Sequence, residues 1–133
     1  IYEPIITMLN KLDFEVQKGS AAKLRQRISE ELFQLGWSDK TKIDSENDIT
    51  ITSMKGNIGL CMQTGNVSRF YADILKLQFM YIKDKVTAAI YIIPTKTASQ
   101  KMGSNIAYFE RFVEELNLYK HIITIPIFII GIE

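Results

Sequence analysis

At 133 residues, 47% of them hydrophobic and 23% charged, the chain has the composition of an ordinary globular protein and the length for one domain with a real core. Sixteen Lys and Arg against fifteen Asp and Glu leave a net charge of +1, so nucleic acid would have to meet a local basic patch, not a global field. One cysteine, Cys61, excludes a disulfide framework and cysteine-based zinc sites, and one histidine, His121, excludes a histidine-rich metal centre.

The first element is a helix over Tyr2–Leu12, with Pro4 near its start and Ile5, Met8, Leu9 and Leu12 at helical spacing. After a connector at Phe14–Gly19, Ser20 is placed to cap a second helix, Ala21–Leu35, which Gly36 ends. Leu24, Ile28, Leu32 and Leu35 form its inward stripe; the charges on its other faces read first as a solvated surface. Trp37 follows and belongs in the core. Lys40–Asp44 reads as a short strand and Ser45–Asn47 as a turn.

Asp48–Asn66 is the stretch around which the rest is organised. Two runs alternating at period two, Ile49–Ser53 and Ile58–Gln63, flank Met54-Lys55-Gly56-Asn57, which is the pattern of a β-hairpin. Ser68–Lys83 is a helix whose apolar residues are wider than one stripe, so it expects burial on two sides. Val86–Ile93 is a near-continuous apolar run, hence a central strand covered on both faces. Pro94–Gly103 is a polar loop with room for a helical turn. Ser104–Leu116 is a helix with Ile106, Phe109, Val113 and Leu116 inward, and Ile122–Ile132 is the last strand.

The order α-α-β-β-β-α-β-α-β predicts an α/β fold, a mixed β-sheet flanked by helices, in a single domain over 1–133 with residues 1–19 as N-terminal helix and connector. No run has transmembrane length and no leading stretch reads as a signal peptide. A lone thiol suits a reducing, cytoplasmic setting. The chain opens on Ile1, not Met, which is compatible with a fragment of a longer protein.

In this order, these residues resemble the PD-(D/E)xK nuclease superfamily, and more narrowly type II restriction endonucleases of the BglII/BstYI kind, over about residues 20–132. The resemblance is carried by the helix ending Leu35-Gly36-Trp37, the hairpin at 51–66, the helix with Asp73 and the strand-loop from Ala89 to Lys96. The Met102-Gly103-Ser104-Asn105 turn leading to Tyr108-Phe109-Glu110, and the strand from Ile125 to Ile132, complete it. No single piece is specific; the order and spacing together are. The resemblance implies an Asp on the first hairpin strand and a Glu-x-Gln near the end of the second. Those groups hold Mg²⁺, which activates a water and stabilises charge on the scissile phosphate.

Carried over, the Asp position is Thr52, the Glu position is Cys61 and the third position is Gln63, which matches. Both lost residues are carboxylates, and a hydroxyl and a thiol are poor ligands for a hard cation. The resemblance therefore implies duplex DNA as partner, a two-fold homodimer, and impaired or absent Mg²⁺-dependent cleavage. Mg²⁺ is a cofactor only if the site is active. Glu30 or Glu31 on the second helix are possible auxiliary acids. Asp48 is more than roughly ten ångströms from Thr52 at about 3.3 Å per residue.

Further candidates come from the residues themselves. Asn66, Ser68 and Arg69 cluster with Gln63 and Gly65 at a strand end and helix start, where backbone phosphate binds well; the plain reading is a helix cap. Lys96, Ser99, Lys101, Ser104 and Asn105 crowd one polar loop with the donors that meet phosphate or a major-groove edge; the plain reading is a solvated loop. Lys18, Lys23, Arg25 and Arg27 add a basic rim. Cys61, inside an apolar strand with no base nearby in sequence, reads as a structural thiol, and His121 as a surface residue. Three function classes remain open: a DNA-binding domain with cleavage lost or degraded, an active deoxyribonuclease with a rearranged or mutated site, and a protein-interaction module that kept the fold.

Overall fold

A computed structural model describes residues 2–44 and 49–133, with the backbone alone at 43 and 44, so Asp48 and the turn at 45–47 lie outside the described residues. Two helices come first, α1 (Glu3–Lys11) and α2 (Ala21–Gln34). Ser20 does not cap α2 through its side chain. Its own backbone is already helical, and its hydroxyl turns back to donate to the Gln17 carbonyl at 2.6 Å. At the other end Gly36 takes a φ of +92°, which a side chain would strain, and the Lys55 ammonium donates to the Leu35 carbonyl at 2.8 Å.

The hairpin region splits in two. β1 (Thr41–Asp44) pairs antiparallel with β2 (Ile49–Ile51), whereas β3 (Ser53–Lys55) pairs antiparallel with β4 (Ile58–Met62). The first run, read as one strand, is broken at Thr52, where the chain passes from one small sheet to the other. The turn is shorter than the sequence indicated. Met54 and Lys55 pair with Gly59 and Ile58, leaving Gly56 and Asn57 as the loop, with Gly56 at a φ of +58°.

The main sheet has the order β3-β4-β5-β6. Its last two pairings, to β5 (Ala88–Pro94) and β6 (Ile127–Ile132), are parallel, and α3 (Arg69–Ile82) crosses from β4 to β5. β5 is central, and its continuous apolar run serves both faces. Ile90 and Ile92 pack with Leu24, Ile28 and Leu60 under α1 and α2; Tyr91 and Ile93 pack with Phe70, Leu77 and Phe112 under α3 and α5 (Phe109–Leu118).

Three boundaries differ from expectation. Residues 96–102, read as a loop, form α4 (Lys96–Met102), because the Thr95 hydroxyl accepts from the Ala98 N–H and the Glu110 carboxylate accepts from the Lys96 N–H at 2.8 Å. α5 begins at Phe109, not Ser104, after Asn105 at a φ of +56°; its buried residue is Phe112, and Val113 is exposed. β6 begins at Ile127, because the N–H groups of Thr124 and Ile125 are taken by the buried Gln78 side chain of α3, each at 2.9 Å, and not by a neighbouring strand. The element order becomes α-α-β-β-β-β-α-β-α-α-β, and the mixed sheet flanked by helices stands. No described helix is long and apolar enough to cross a membrane.

Candidate nucleic-acid interface

The break at Thr52 creates the local geometry of the site. Leaving the ladder frees the Thr52 side chain, whose Oγ1 accepts the Met62 N–H at 3.1 Å, while its backbone N–H bonds the Cys61 sulfur. Thr52 and Cys61 are therefore in contact, one on each side of the β3–β4 seam. Cys61 is only 1% exposed, and burial, followed by the nearby Asp73, pushes its thiol well above the ordinary range. It is a sealed structural thiol. His121 lies on the surface after α5.

Gln63 follows β4 and is 3% exposed. Its Oε1 accepts the Gly65 N–H at 3.0 Å and its Nε2 donates to Asp73 of α3 at 2.9 Å. The same Asp73 oxygen accepts from the Tyr91 hydroxyl at 2.7 Å. Burial raises the Asp73 carboxyl above its usual range, against the two hydrogen bonds, which lower it. Asp73 shares a helix stripe with Phe70 and Leu77; an acid on a stripe otherwise turned to the core is the sequence signal that could have marked it as a buried partner.

On the α2 side of the break, a cleft of about 200 Å³ opens between Arg25 and Ser29, the segment Ser38-Asp39-Lys40, and Thr52. Its floor is held by the Ser53 hydroxyl donating to the Ser38 carbonyl and the Met54 N–H donating to the Ser38 hydroxyl. Glu30 and Glu31 are not part of it. Glu30 accepts from Gln26 one turn away and Glu31 pairs with Arg27 at 3.8 Å, both on the helix surface; the carboxylate lining the cleft is Asp39, which sequence reasoning passed over.

The two polar groups of the sequence reading come together. Asn66 and Ile106 form an isolated bridge, and the Val67 N–H bonds the Asn105 carbonyl at 2.9 Å. Arg69, Ser104 and Asn105 are exposed there, and so are Lys96 and Lys101 of α4. Asn66 and Ser68 are exposed too, although the Asn66 side chain is engaged in accepting from the Ser68 N–H and hydroxyl. Ser99 is the exception: it is buried and its hydroxyl donates to the Lys96 carbonyl at 2.7 Å, an internal helix contact that removes it from the surface.

Mg²⁺ asks for several hard, mostly charged oxygens. Thr52 Oγ1 and Gln63 Oε1 already accept backbone protons, Cys61 presents a buried protonated sulfur, and no three His, Cys, Asp or Glu among the described residues converge to hold a metal ion. This donor set does not fit the cation.

A family model for restriction endonuclease BglII/BglIII matches residues 1–132. The chain belongs to the BglII/BglIII restriction endonuclease family. No curated protein sequence matches it. Among solved structures, it is similar to the crystal structure of restriction endonuclease BglII complexed with a DNA 16-mer, at 16% identity and a TM-score of 0.87, over 99% of this chain and 70% of that one. At that identity the likeness carries the fold. Together with the family match, it bears out the BglII-type fold expected from the hairpin and the elements around it.

Proposed function

We propose that this BglII-family chain is an intracellular duplex-DNA-binding domain in which Mg²⁺-dependent phosphodiester hydrolysis is lost or strongly impaired. The observation that carries the reading is the state of the three family positions. Thr52 and Cys61 bring no carboxylate, Cys61 is closed off from solvent, and Gln63 is committed to Gly65 and Asp73. Binding is supported by the exposed donors Arg69, Ser104 and Asn105, which flank the contact between the 66–67 and 105–106 segments, by the exposed Lys96 and Lys101 of α4, and by a structure of the same fold having been solved with DNA.

Binding of a random-sequence duplex that weakens steeply with salt, with no nicking in Mg²⁺, is the expected result. Mg²⁺-dependent nicking by the unaltered chain would favour the rearranged-site alternative. Absence of duplex binding at low salt would leave the interaction-module alternative. Thr52→Asp combined with Cys61→Glu tests the carry-over: the double variant should gain Mg²⁺-dependent cleavage. Burying a glutamate at position 61, near Asp73, should also lower stability by about 3 kcal/mol or more in the absence of a cation. A folded, duplex-binding double variant with no gain would sink the placement of the site. The reading includes a homodimer, supported by the apolar residues of α3 that the chain itself leaves uncovered.

A further inference from the structure

The cleft at Thr52 has lost what a metal needs and kept what an anion needs. Arg25 makes no hydrogen bond or ion pair to another described residue, yet it is close enough for its charge to act on Asp73 and Cys61 across the sheet. Lys40, exposed, lines the same cleft and likewise makes no such bond or ion pair among the described residues. Thr52 lines the same cleft; its Oγ1 accepts the Met62 N–H, and its hydroxyl proton has no acceptor among the described residues. Ser29 adds a second hydroxyl on the α2 wall, and Asp39 is the one carboxylate among the described lining residues.

We infer that this cleft holds a backbone phosphate of duplex DNA directly, through Arg25 and Lys40 with Thr52 donating a hydrogen bond, and without a divalent cation. A carboxylate at position 52 would repel a phosphate unless a cation lay between them. A hydroxyl there removes the repulsion, and a planar guanidinium together with an ammonium lining the same cleft supplies the neutralising charge a metal would otherwise bring. The neutral residue at position 52 and the two cations lining the same cleft are then one arrangement and not two separate features. The inference rests on the duplex-binding reading and adds where, and by what chemistry, one phosphate is held.

The test is titration of a fluorescein-labelled random duplex with the full chain in EDTA across a salt series. The unaltered chain binds as tightly in EDTA as in Mg²⁺. Arg25→Gln weakens binding by about tenfold at low salt and reduces the slope of log affinity against log salt by about one, the signature of one lost phosphate contact. Lys40→Ala acts in the same direction. Thr52→Asp weakens binding in EDTA and recovers in Mg²⁺. If the unaltered chain binds duplex but Arg25→Gln, folded by its melting curve, matches it in affinity and slope, the cradle is wrong and the general reading survives. If the unaltered chain binds no duplex, both fall. If inorganic phosphate raises the melting temperature in an Arg25-dependent way while duplex binding ignores Arg25, the site takes free phosphate and its assignment to DNA is overturned.

Discussion

Asp73 concentrates the chemistry of the interior in one carboxyl group. It is largely enclosed, it receives the Gln63 amide and the Tyr91 hydroxyl on the same oxygen, and burial outweighs those bonds in setting its proton affinity. The folded chain therefore keeps this proton to higher pH than the unfolded chain, whose carboxyl titrates near the ordinary 3.8. Between the two values the native state binds more protons, so Asp73 makes stability fall as pH rises from that ordinary value through the raised one, and the loss is complete above it. Asp73→Asn has no such titration. The difference in melting temperature between variant and parent should move in favour of the variant as pH is raised through this window, and a difference that stays constant with pH would refute the assignment. The family resemblance singled out Thr52, Cys61 and Gln63 in the hairpin region, and the fold sets Thr52 against Cys61. The sequence did not show that Asp73 bonds Gln63 or that Asp39 and Arg25 line one cleft with Thr52, because these residues come from other elements and only packing decides which helix face meets the Thr52 break. It also misled at Ser99, whose hydroxyl counts as a surface donor until a helix is seen to turn it inward.

Among the elements, β6 shows how one side chain sets a boundary. Read by apolarity, 122–132 is a single strand. In the fold, Gln78 accepts the N–H groups of Thr124 and Ile125 and donates to the Thr124 hydroxyl, so these residues hang from α3 and the ladder starts only at Ile127. Pattern reading saw the inward stripe of α2 and the two-sided burial of β5, which depend on periodicity alone, but it expected burial on two sides of α3, where Leu75, Phe79 and Ile82 stay exposed. It missed the extent of α4, whose helix is started by Thr95 and by Glu110 from another element, and in α5 it turned Val113 inward where Phe112 is buried, although Phe109 and Leu116 do pack on the core. Gln78→Leu keeps the volume and strips the acceptor from two backbone groups, one of them in the buried Ile125. At about 1–3 kcal/mol for a buried group left unpaired, and with Thr124 exposed, the expected loss is roughly 1–3 kcal/mol in urea denaturation, with faster amide exchange at 124 and 125. A loss under about 0.5 kcal/mol, the range of ordinary surface substitutions, would mean the segment is held by packing and not by Gln78.

For the molecule as a whole, the decisive feature is what remains uncovered. α3 carries more apolar residues than one face can bury; Phe70, Ile74, Leu77 and Met80 go into the core, while Leu75 and Ile82 stay 62% and 65% exposed. Beside Leu75, Ile122 at 66% and the ring of Tyr119 close a small, almost wholly apolar hollow with Tyr71 and Ile74. One exposed leucine is ordinary in a folded protein, but a contiguous cluster on one helix and the turn facing it marks an interaction surface. A second copy is the occupant that fits the proposed function, because a two-fold pair would present two Thr52 clefts to the two strands of a duplex. Leu75→Glu combined with Ile122→Glu sets charges into that surface without touching the core. Sedimentation equilibrium should give twice the 15.3 kDa chain mass for the unaltered protein. It should give a dimer dissociation constant raised roughly 30-fold or more for the double variant, taking about 2 kcal/mol as the least an interface anchor is worth. Duplex affinity should drop with it, since two linked clefts bind with avidity that one cleft lacks. An unaltered chain that sediments as a monomer at several hundred micromolar would remove the dimer, and the cleft would then have to act singly.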